Sequence, residues 1–501
     1  MTDEGTAGPA SDGAPRSTIG GWAERLLAAQ DEHPIVTAIV LVALQLAIRL
    51  PGLDSESLWW DESWTAALAL QPASVIVERC RADVNPPLYH LLLSPWAAVF
   101  GISAASLRGF SLAASILAGL ALHRLALRQF GREAALYAFL AYATSGVFLY
   151  YAHEARSYTL TAFLCALSFL LFLRNLESPR VARSIALAIV NALGAYVHFT
   201  ILLAFLAQLV AASTLYRRRR QALVHYVLSQ AAAAVAFLPW VPYLIRNTPR
   251  GDSWLSSPGI DALSGVLRGL FGSPWQIAGT ALVFAAGLLL AASGRLRVTA
   301  DARKLGVLVL WATLPIALSF VIAQWFPIFG TRYVLTAALG AIVLQAVVLS
   351  GLPIRGSYRG TIALSLAALA LASPNPVAYV KPDWRGAAAT VARLRGDDAL
   401  IVVSPYGQCL PLAYYLEPEI LEELFVRGES TLEAIGVLCV DDDRLGTVAS
   451  RNAPRDRVIV VIARGSRLQP REIVESFGSG RYAPATREDL EGVVVMSYRR
   501  S

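Results

Sequence analysis

The chain has 501 residues, of which 55% are hydrophobic and only 16% are charged, and its mean hydropathy is +0.51. A soluble domain carries roughly 25% charged residues, so this composition excludes an ordinary soluble protein and indicates one that is embedded in lipid. The formal charge of +7 does not indicate nucleic-acid binding, because the basic residues form short clusters between apolar runs.

Residues 1–33 begin as a segment rich in Gly, Ala, Ser and Asp, and we expect a disordered cytoplasmic tail without a cleavable signal peptide. Residues 34–375 then carry the apolar runs. Backbone polar groups in hydrocarbon must be satisfied within their own segment, so these runs predict transmembrane helices. The eleven predicted spans lie near residues 34–50, 105–125, 134–151, 158–173, 184–198, 200–216, 222–245, 275–293, 305–325, 333–351 and 360–374.

Clusters of arginine and lysine fall in alternate loops between these runs, and the positive-inside rule places such loops in the cytoplasm. Because eleven is an odd number of spans, the carboxyl terminus lies on the opposite side of the membrane from the amino terminus. We therefore expect a multi-pass protein of the cytoplasmic (inner) membrane whose C-terminal part is extracytoplasmic. The clusters are Arg124/Arg128/Arg132, Arg174/Arg180/Arg183, Arg217 to Arg220, Arg295/Arg297/Arg303/Lys304 and Arg355/Arg359.

Two outer loops stand out in this topology. The first, residues 51–104, contains an apolar stretch at 86–100 that is too short to span and is predicted to be a juxtamembrane helix on the outer surface. The second, residues 246–274, is long and rich in Gly, Ser and Pro, and is either a candidate lid or a plain linker.

Residues 376–501 follow a run of prolines and contain frequent charges, which predicts an extracytoplasmic soluble domain. Cys409 and Cys439 lie in this domain on the oxidising side, where they either form a disulfide or remain buried thiols. The hydrophobic pattern predicts a small α/β unit with helices at 384–395 and 410–425 and strands at 399–404, 458–463 and 493–498.

Polar and aromatic residues cluster in four segments that all map to the predicted outer face. Charged groups at the lipid boundary are costly, so such clusters usually have a function. The four segments are Leu58-Trp59-Trp60-Asp61-Glu62-Ser63-Trp64, Asp83-Val84-Asn85-Pro86-Pro87-Leu88-Tyr89, Tyr150-Tyr151-Ala152-His153-Glu154-Ala155-Arg156-Ser157-Tyr158 and Phe326-Pro327-Ile328-Phe329-Gly330-Thr331-Arg332-Tyr333.

The first three of these segments, together with Asp383-Trp384-Arg385, resemble motifs of the GT-C superfamily of polyprenyl-phosphate-sugar glycosyltransferases. Within that superfamily the resemblance is to the branch that contains protein O-mannosyltransferases and the lipid A aminoarabinose transferase. The resemblance covers nearly the whole chain, although Asn85 stands where many members have histidine. It implies a polytopic α-helical membrane protein of the GT-C fold with about 11 transmembrane helices. It also implies transfer of a hexose or pentose from a polyprenyl-phosphate donor to a hydroxyl of a lipid, glycan or protein.

The resemblance implies that Asp61, the acidic residue of the first outer loop, is the catalytic base. The chemistry agrees, because an acceptor hydroxyl is a poor nucleophile until a carboxylate takes its proton. One base suffices when the leaving group is a phosphate, and a single displacement inverts the anomeric carbon. Glu62 and Asp83 complete the predicted catalytic set; the alternatives are solvated carboxylates for the Asp61–Glu62 pair and helix capping for Asp83.

A planar guanidinium suits the anionic phosphate of a prenyl donor, and Arg156 and Arg332 are the main candidates for that contact. Lys381 and Arg385 either contact the phosphate too or belong to the start of the next helix. The further predicted site residues are Tyr333 beside Arg332, together with His153, Glu154, Tyr158, Asn85 and Tyr89. None is assigned to a metal, and a divalent cation stays an open option as cofactor.

A lipid or sugar transporter, or a flippase, is the alternative from another class, and a non-catalytic scaffold is a third. Transporters place charges near the membrane midplane, whereas this chain keeps its charges near the ends of the predicted spans. Convergence of Asp61, Glu154, Arg156 and Arg332 on one outward cavity favours the enzyme. Scatter of these residues favours the scaffold, and a midplane channel favours the transporter.

The span count predicts opposite locations for two fusion sites. A reporter fused after Ser501 is expected outside the membrane, whereas one inserted at Arg217 to Arg220 is expected in the cytoplasm, because the arginine cluster marks an inner loop. Paired reporters that are active only outside or only inside measure this directly. A cytoplasmic Ser501 would contradict the span count.

Overall fold

The computed structural model describes residues 27–247, 257–298, 301–326, 329–373, 379–396, 399–452, 455–478 and 482–501. Helices make up most of the chain before residue 373. In order they are Pro34–Arg49, Trp60–Ala69, Ala73–Arg81, Leu88–Phe100, Ala104–Phe130, Arg132–Thr144, Gly146–Ala152, Tyr158–Glu177, Val181–Val197, Ile201–Leu215, Arg220–Phe237, Val241–Asn247, Ile260–Phe271, Pro274–Ala292, Ala302–Ile322, Leu335–Ser350 and Gly356–Ala372.

A helix lies at each of the eleven predicted apolar runs. Within the described ranges, five helices are long and apolar enough to cross a membrane, or six if Arg132–Thr144 and Gly146–Ala152, bent by 58°, form one span. Several of the others, such as Pro34–Arg49 and Leu335–Ser350, are apolar but shorter. The helical, membrane-type architecture is confirmed, and the number of eleven spans stays a prediction.

The first outer loop is more ordered than the sequence indicated. Its juxtamembrane helix is present as Leu88–Phe100, and two further helices, Trp60–Ala69 and Ala73–Arg81, precede it. The candidate lid is described in part, with helix Ile260–Phe271 and with residues 248–256 outside the described ranges. Residues 1–26 of the predicted tail also lie outside those ranges, but residues 27–32 are helical rather than disordered.

The C-terminal domain is an α/β unit built on a five-stranded sheet in the order β2-β1-β3-β5-β4. β1 is parallel to β2 and β3, whereas β5 is antiparallel to β3 and β4. The strands are β1 Ala399–Ser404, β2 Val437–Cys439, β3 Arg457–Ala463, β4 Tyr482–Leu490 and β5 Val493–Arg500. The helices are Trp384–Arg395, Cys409–Leu416, Ile420–Arg427, Glu429–Ala434, Leu445–Arg451 and Pro470–Ser476.

Cys409 and Cys439 form a disulfide, with their Cα atoms 5.9 Å apart. It joins the start of helix Cys409–Leu416 to the end of β2, so the alternative of two buried thiols does not hold. Cys80 and Cys165 are the free, buried cysteines.

The C-terminal domain packs directly on residues 51–104. Tyr415 Oη accepts a hydrogen bond from Leu58 N at 2.8 Å, and Tyr414 Oη donates to Ile102 O at 2.7 Å. The side chain of Gln71 also donates to the backbone of the domain, at Glu422 O. These contacts hold the domain over residues 51–104, where two of the four polar segments lie.

The membrane helices approach closely where side chains are small, as expected when lipid removes the hydrophobic drive for helix association. A Cβ at Gly340 would lie 2.8 Å from Trp311 Cγ and 2.9 Å from Ala312 N. Trp311 is fully buried and stacks on Phe169 at 3.8 Å between ring centroids. Gly340 therefore sets the spacing of helices Ala302–Ile322 and Leu335–Ser350.

Gly340→Ala should lower the thermal unfolding midpoint of the purified protein, because overpacking costs about 1–3 kcal/mol. Gly360→Ala is the matched control, since a Cβ there meets nothing within 4 Å. That change should leave the midpoint unchanged or raise it, as alanine favours helix by about 0.5–1 kcal/mol over glycine. Equal midpoints for the two variants would contradict the packing argument.

Candidate active site

A cavity of about 620 Å³ opens between the outer loops and the C-terminal domain. Its wall combines aromatic rings with a few charged and polar groups, as in sites for small organic ligands. The lining residues are Trp59, Trp60, Asp61, Tyr150, Tyr151, Glu154, Tyr158, Phe329, Gly330, Thr331, Arg332, Tyr333, Tyr379 and Gln408. Five of the predicted site residues are among them: Asp61, Glu154, Tyr158, Arg332 and Tyr333.

Asp61 lies in the first turn of helix Trp60–Ala69, with its side chain 12% exposed in the cavity wall. Its Oδ2 is 3.8 Å from Arg156 Nε and 3.8 Å from Arg332 Nη1. Both separations are within ion-pair range but longer than a hydrogen bond. The carboxylate therefore lies between two guanidinium groups, one of which, Arg332, also lines the cavity.

The two arginines occupy different positions. Arg332 stands in the cavity wall with its guanidinium 5.1 Å from the centre of the Tyr333 ring. Arg156 lies behind Asp61 and borders a second, much smaller cavity together with Asn85 and Tyr89. The sequence placed both arginines at the donor phosphate, and the structure brings only Arg332 to the main cavity.

Glu62 is fully buried and points away from the cavity. Its Oε1 accepts hydrogen bonds at 2.9 Å from Arg108 Nε and Ala155 N, and its Oε2 accepts from Arg108 Nη2 at 2.9 Å and from Lys381 Nζ at 3.0 Å. Burial by itself raises the pKa of this carboxyl, but Lys381 and Arg108 outweigh burial and hold the pKa at about 2. The structure thus gives Glu62 a positioning role instead of the predicted catalytic one.

Lys381 is equally buried, and its ammonium group is engaged by protein carboxylates. Besides Glu62, its Nζ lies 3.9 Å from Glu154 Oε1 and 3.8 Å from Glu56 Oε2. Because these carboxylates surround its ammonium group, Lys381 does not line the cavity. The prediction that Lys381 contacts a donor phosphate is therefore not supported by its position. Arg385 also points elsewhere, pairing with the exposed Asp54 at 3.0 Å.

Glu154 is the second acidic residue of the cavity wall and is only 2% exposed. Burial raises the pKa of Glu154 to about 7; Lys381 opposes the rise, and the charge of Glu62 adds to it. Its Oε1 has no hydrogen-bond partner among the described residues. Burial therefore favours the protonated form of Glu154.

The remaining predicted residues lie around the cavity without entering it. His153 Nε2 is 2.6 Å from Arg49 O, consistent with a hydrogen-bonding role. Asp83 Oδ1 accepts hydrogen bonds from Val84 N and Asn85 N. Asp83 therefore caps a turn, and it does not cap the helix that begins at Leu88. Tyr89 Oη lies 3.0 Å from Ser111 Oγ.

Sequence reasoning missed two kinds of site residue. Arg108 lies within a predicted span, and an arginine inside an apolar run is the signal that marks it. Tyr379 and Gln408 come from the C-terminal domain, and nothing in the local sequence indicates that they reach the cavity. Among the described residues, no group of three or more His, Cys, Asp or Glu side chains is arranged to hold a metal ion.

Comparison with known proteins agrees with this architecture. The family model for dolichyl-phosphate-mannose-protein mannosyltransferases matches residues 84–245, while no curated protein sequence gives a significant match. ArnT from Cupriavidus metallidurans bound to undecaprenyl phosphate superimposes with a TM-score of 0.57 at 14% identity, over 96% of this chain and 98% of that one. The chain has the GT-C fold.

Two other GT-C structures are similar over most of this chain. The arabinofuranosyltransferase AftD from Mycobacteria gives a TM-score of 0.54 at 14% identity, over 95% of this chain and 40% of that one. The Archaeoglobus fulgidus oligosaccharyltransferase tethered with an acceptor peptide gives 0.51 at 12% identity, over 86% of this chain and 69% of that one. At these identities the likeness establishes the shared fold.

Glu62→Gln should strongly destabilise the protein. It keeps the size of the side chain but leaves the charges of Arg108 and Lys381 buried without their counter-ion, a loss of about 3–5 kcal/mol. The control is Glu475→Gln, whose carboxylate pairs with Arg471 at the exposed surface, where an ion pair contributes little to stability. Thermal unfolding midpoints of the two variants measure the difference, and a Glu62→Gln midpoint as high as that of the control would contradict this role.

Proposed function

We propose that the protein is an inverting glycosyltransferase that moves a sugar from a polyprenyl-phosphate donor to an acceptor hydroxyl. The observation that carries this proposal is the placement of the Asp61 carboxylate beside Arg332 in the wall of one cavity, 3.8 Å apart. A base and a fixed cation within one site are what this transfer requires. The base receives a proton, and the cation offsets charge on the departing phosphate.

In the proposed reaction the acceptor oxygen attacks the anomeric carbon while its proton passes to Asp61. The bond between that carbon and the phosphate oxygen breaks, and the electron pair leaves with the prenyl phosphate. Arg332 binds the phosphate in the ground state and stabilises the additional charge as the bond breaks. Arg156 lies behind Asp61 and holds the carboxylate in place from the other side.

The donor class is supported by two observations. ArnT, which shares the fold, is bound to undecaprenyl phosphate, and the family model that matches residues 84–245 is that of enzymes using dolichyl-phosphate-mannose. A prenyl chain requires lipid beside the site, and the cavity lies at the ends of apolar helices. We place residues 34–375 as the catalytic membrane domain, with the cavity and residues 376–501 on the outer face.

A transporter or flippase is the competing function, and no observation favours it. The charged residues that line the cavity, Asp61, Glu154 and Arg332, lie in segments that connect helices or begin them. Transport requires an alternating pathway through the midplane. Three of the four residues expected to converge, Asp61, Glu154 and Arg332, line one cavity, and this supports the enzyme.

Asp61→Asn should reduce turnover by about 10²–10⁴-fold, the usual contribution of a general base, while the protein still folds and binds donor. Purified protein is incubated with a panel of polyprenyl-phosphate sugars, with and without a chelator, and the acceptor is analysed by mass. Asp54→Asn is the matched control, since it removes an exposed carboxylate of the same loop from outside the cavity. Near-normal turnover of Asp61→Asn, with the chemical step rate-limiting, would place the base elsewhere.

A further inference from the structure

The C-terminal domain contributes two residues to the cavity, Tyr379 and Gln408. Neither belongs to a motif of the membrane domain, and neither is needed for the proton transfer or the phosphate contact proposed above. Their chemistry differs from that of the charged residues in the wall, because one offers a ring and the other a neutral amide. They therefore suggest a separate task within the same cavity.

Hydrogen bonds and a disulfide hold the backbone around Gln408 in place. Its backbone N–H donates to Pro405 O at 2.9 Å, and Asp441 Oδ1 accepts from Tyr406 N at 2.8 Å. The next residue, Cys409, is held by the disulfide to Cys439. This short turn is thus fixed from both sides, whereas the side-chain amide of Gln408 has no hydrogen-bond partner among the described residues.

Aromatic residues line the same cavity as Gln408. Gly407 lies against Trp60, since a Cβ at position 407 would be 3.0 Å from Trp60 Nε1. Trp60 stacks with Trp64 at 6.2 Å between centroids, yet it stays 39% exposed. The ring of Tyr379 lies 5.3 Å from that of Trp59, the other tryptophan of the wall.

An exposed aromatic ring and an unpaired amide in the wall of one cavity match the chemistry of a sugar. The C–H face of a sugar ring is apolar and packs on an aromatic ring, while its hydroxyl groups both donate and accept hydrogen bonds. A glutamine amide offers two N–H donors and a carbonyl acceptor, so it can bond to neighbouring hydroxyls at once. No charge is required for this recognition, and none of these three side chains carries one.

We propose that Trp60, Tyr379 and Gln408 form a sugar-ring subsite shared between the membrane domain and the C-terminal domain. This inference rests on the proposed function and deepens it by naming the residues that select the saccharide. Gln408 then acts as a specificity-determining residue that reads ring hydroxyls, and Trp60 supplies the stacking surface. The ring bound here belongs either to the donor or to a saccharide acceptor.

Binding can be tested without turnover, by saturation-transfer NMR of methyl α-D-mannopyranoside and methyl β-L-arabinofuranoside with the full chain in lipid nanodiscs. At least one of the two should give signals with the unmodified protein. These signals should be lost in Trp60→Ala and Gln408→Leu, and kept in Thr447→Ala, an exposed position of the C-terminal domain, and in Asp61→Asn. Absence of glycoside binding, or equal signals in Gln408→Leu and unmodified protein, overturns the subsite.

Kinetics then identify the ring that is bound. Gln408→Leu should raise one KM by about tenfold with little change in kcat, as expected when one hydrogen bond to substrate is lost. A rise in the KM of the donor assigns the subsite to the donor sugar, and a rise in that of the acceptor assigns it to an acceptor saccharide. Transfer with both KM values unchanged removes the subsite but leaves the proposed function standing. If glycoside binding depends on Gln408 but no polyprenyl donor supports transfer, the subsite stands and the proposed function does not.

Discussion

Glu62 buries a full negative charge at the point where four parts of the chain meet. Its carboxylate accepts hydrogen bonds from Arg108 of a membrane helix, from the backbone of Ala155 and from Lys381 at the start of the C-terminal domain. Removing a carboxylate from water costs several kcal/mol, which is offset here because both oxygens meet donors and two cations. The arrangement is stable only when all the partners are in place.

The geometry of the cavity wall around Asp61 follows from this junction. Asp61 precedes Glu62 on one helix, and successive helical residues differ by about 100° in direction, so Glu62 enters the core while Asp61 faces the cavity. Ala155 precedes Arg156, the group that lies behind Asp61. Arg108 also bonds to the carbonyl oxygens of Leu53 and Glu56, which fixes the loop leading into the helix.

The two buried glutamates near Lys381 have different protonation behaviour. Lys381 is 3.0 Å from Glu62 but 3.9 Å from Glu154, and the pKa values of the two carboxyls are about 2 and about 7. The stabilisation from Glu62 is present above its ordinary pKa and is lost only as the pH falls through about 2. Burial raises the pKa of Glu154 above its ordinary value, so Glu154 gains its charge at a higher pH than an exposed carboxyl, and that charge adds to the cavity wall that Asp61 also lines.

Much of this architecture could be predicted from the sequence, because apolar runs report helices and motif residues such as Asp61 and Arg332 are distinctive. β4 was missed since Tyr482–Leu490 is an edge strand with mostly exposed, polar residues. The role of Lys381 was misjudged because its partners lie more than 200 residues away in sequence. Gln408 was missed for the same reason, since its place in the cavity depends on how the C-terminal domain docks.

The central claim is that one carboxylate base acts in a single displacement, and the stereochemistry of the product tests it most directly. A polyprenyl-phosphate donor of known anomeric configuration, labelled with ¹³C at the anomeric carbon, is incubated with the full-length protein and acceptor. NMR of the product then reports the configuration of the new bond. Inversion is the predicted result. Retention would exclude a single inverting displacement and would contradict the proposed mechanism.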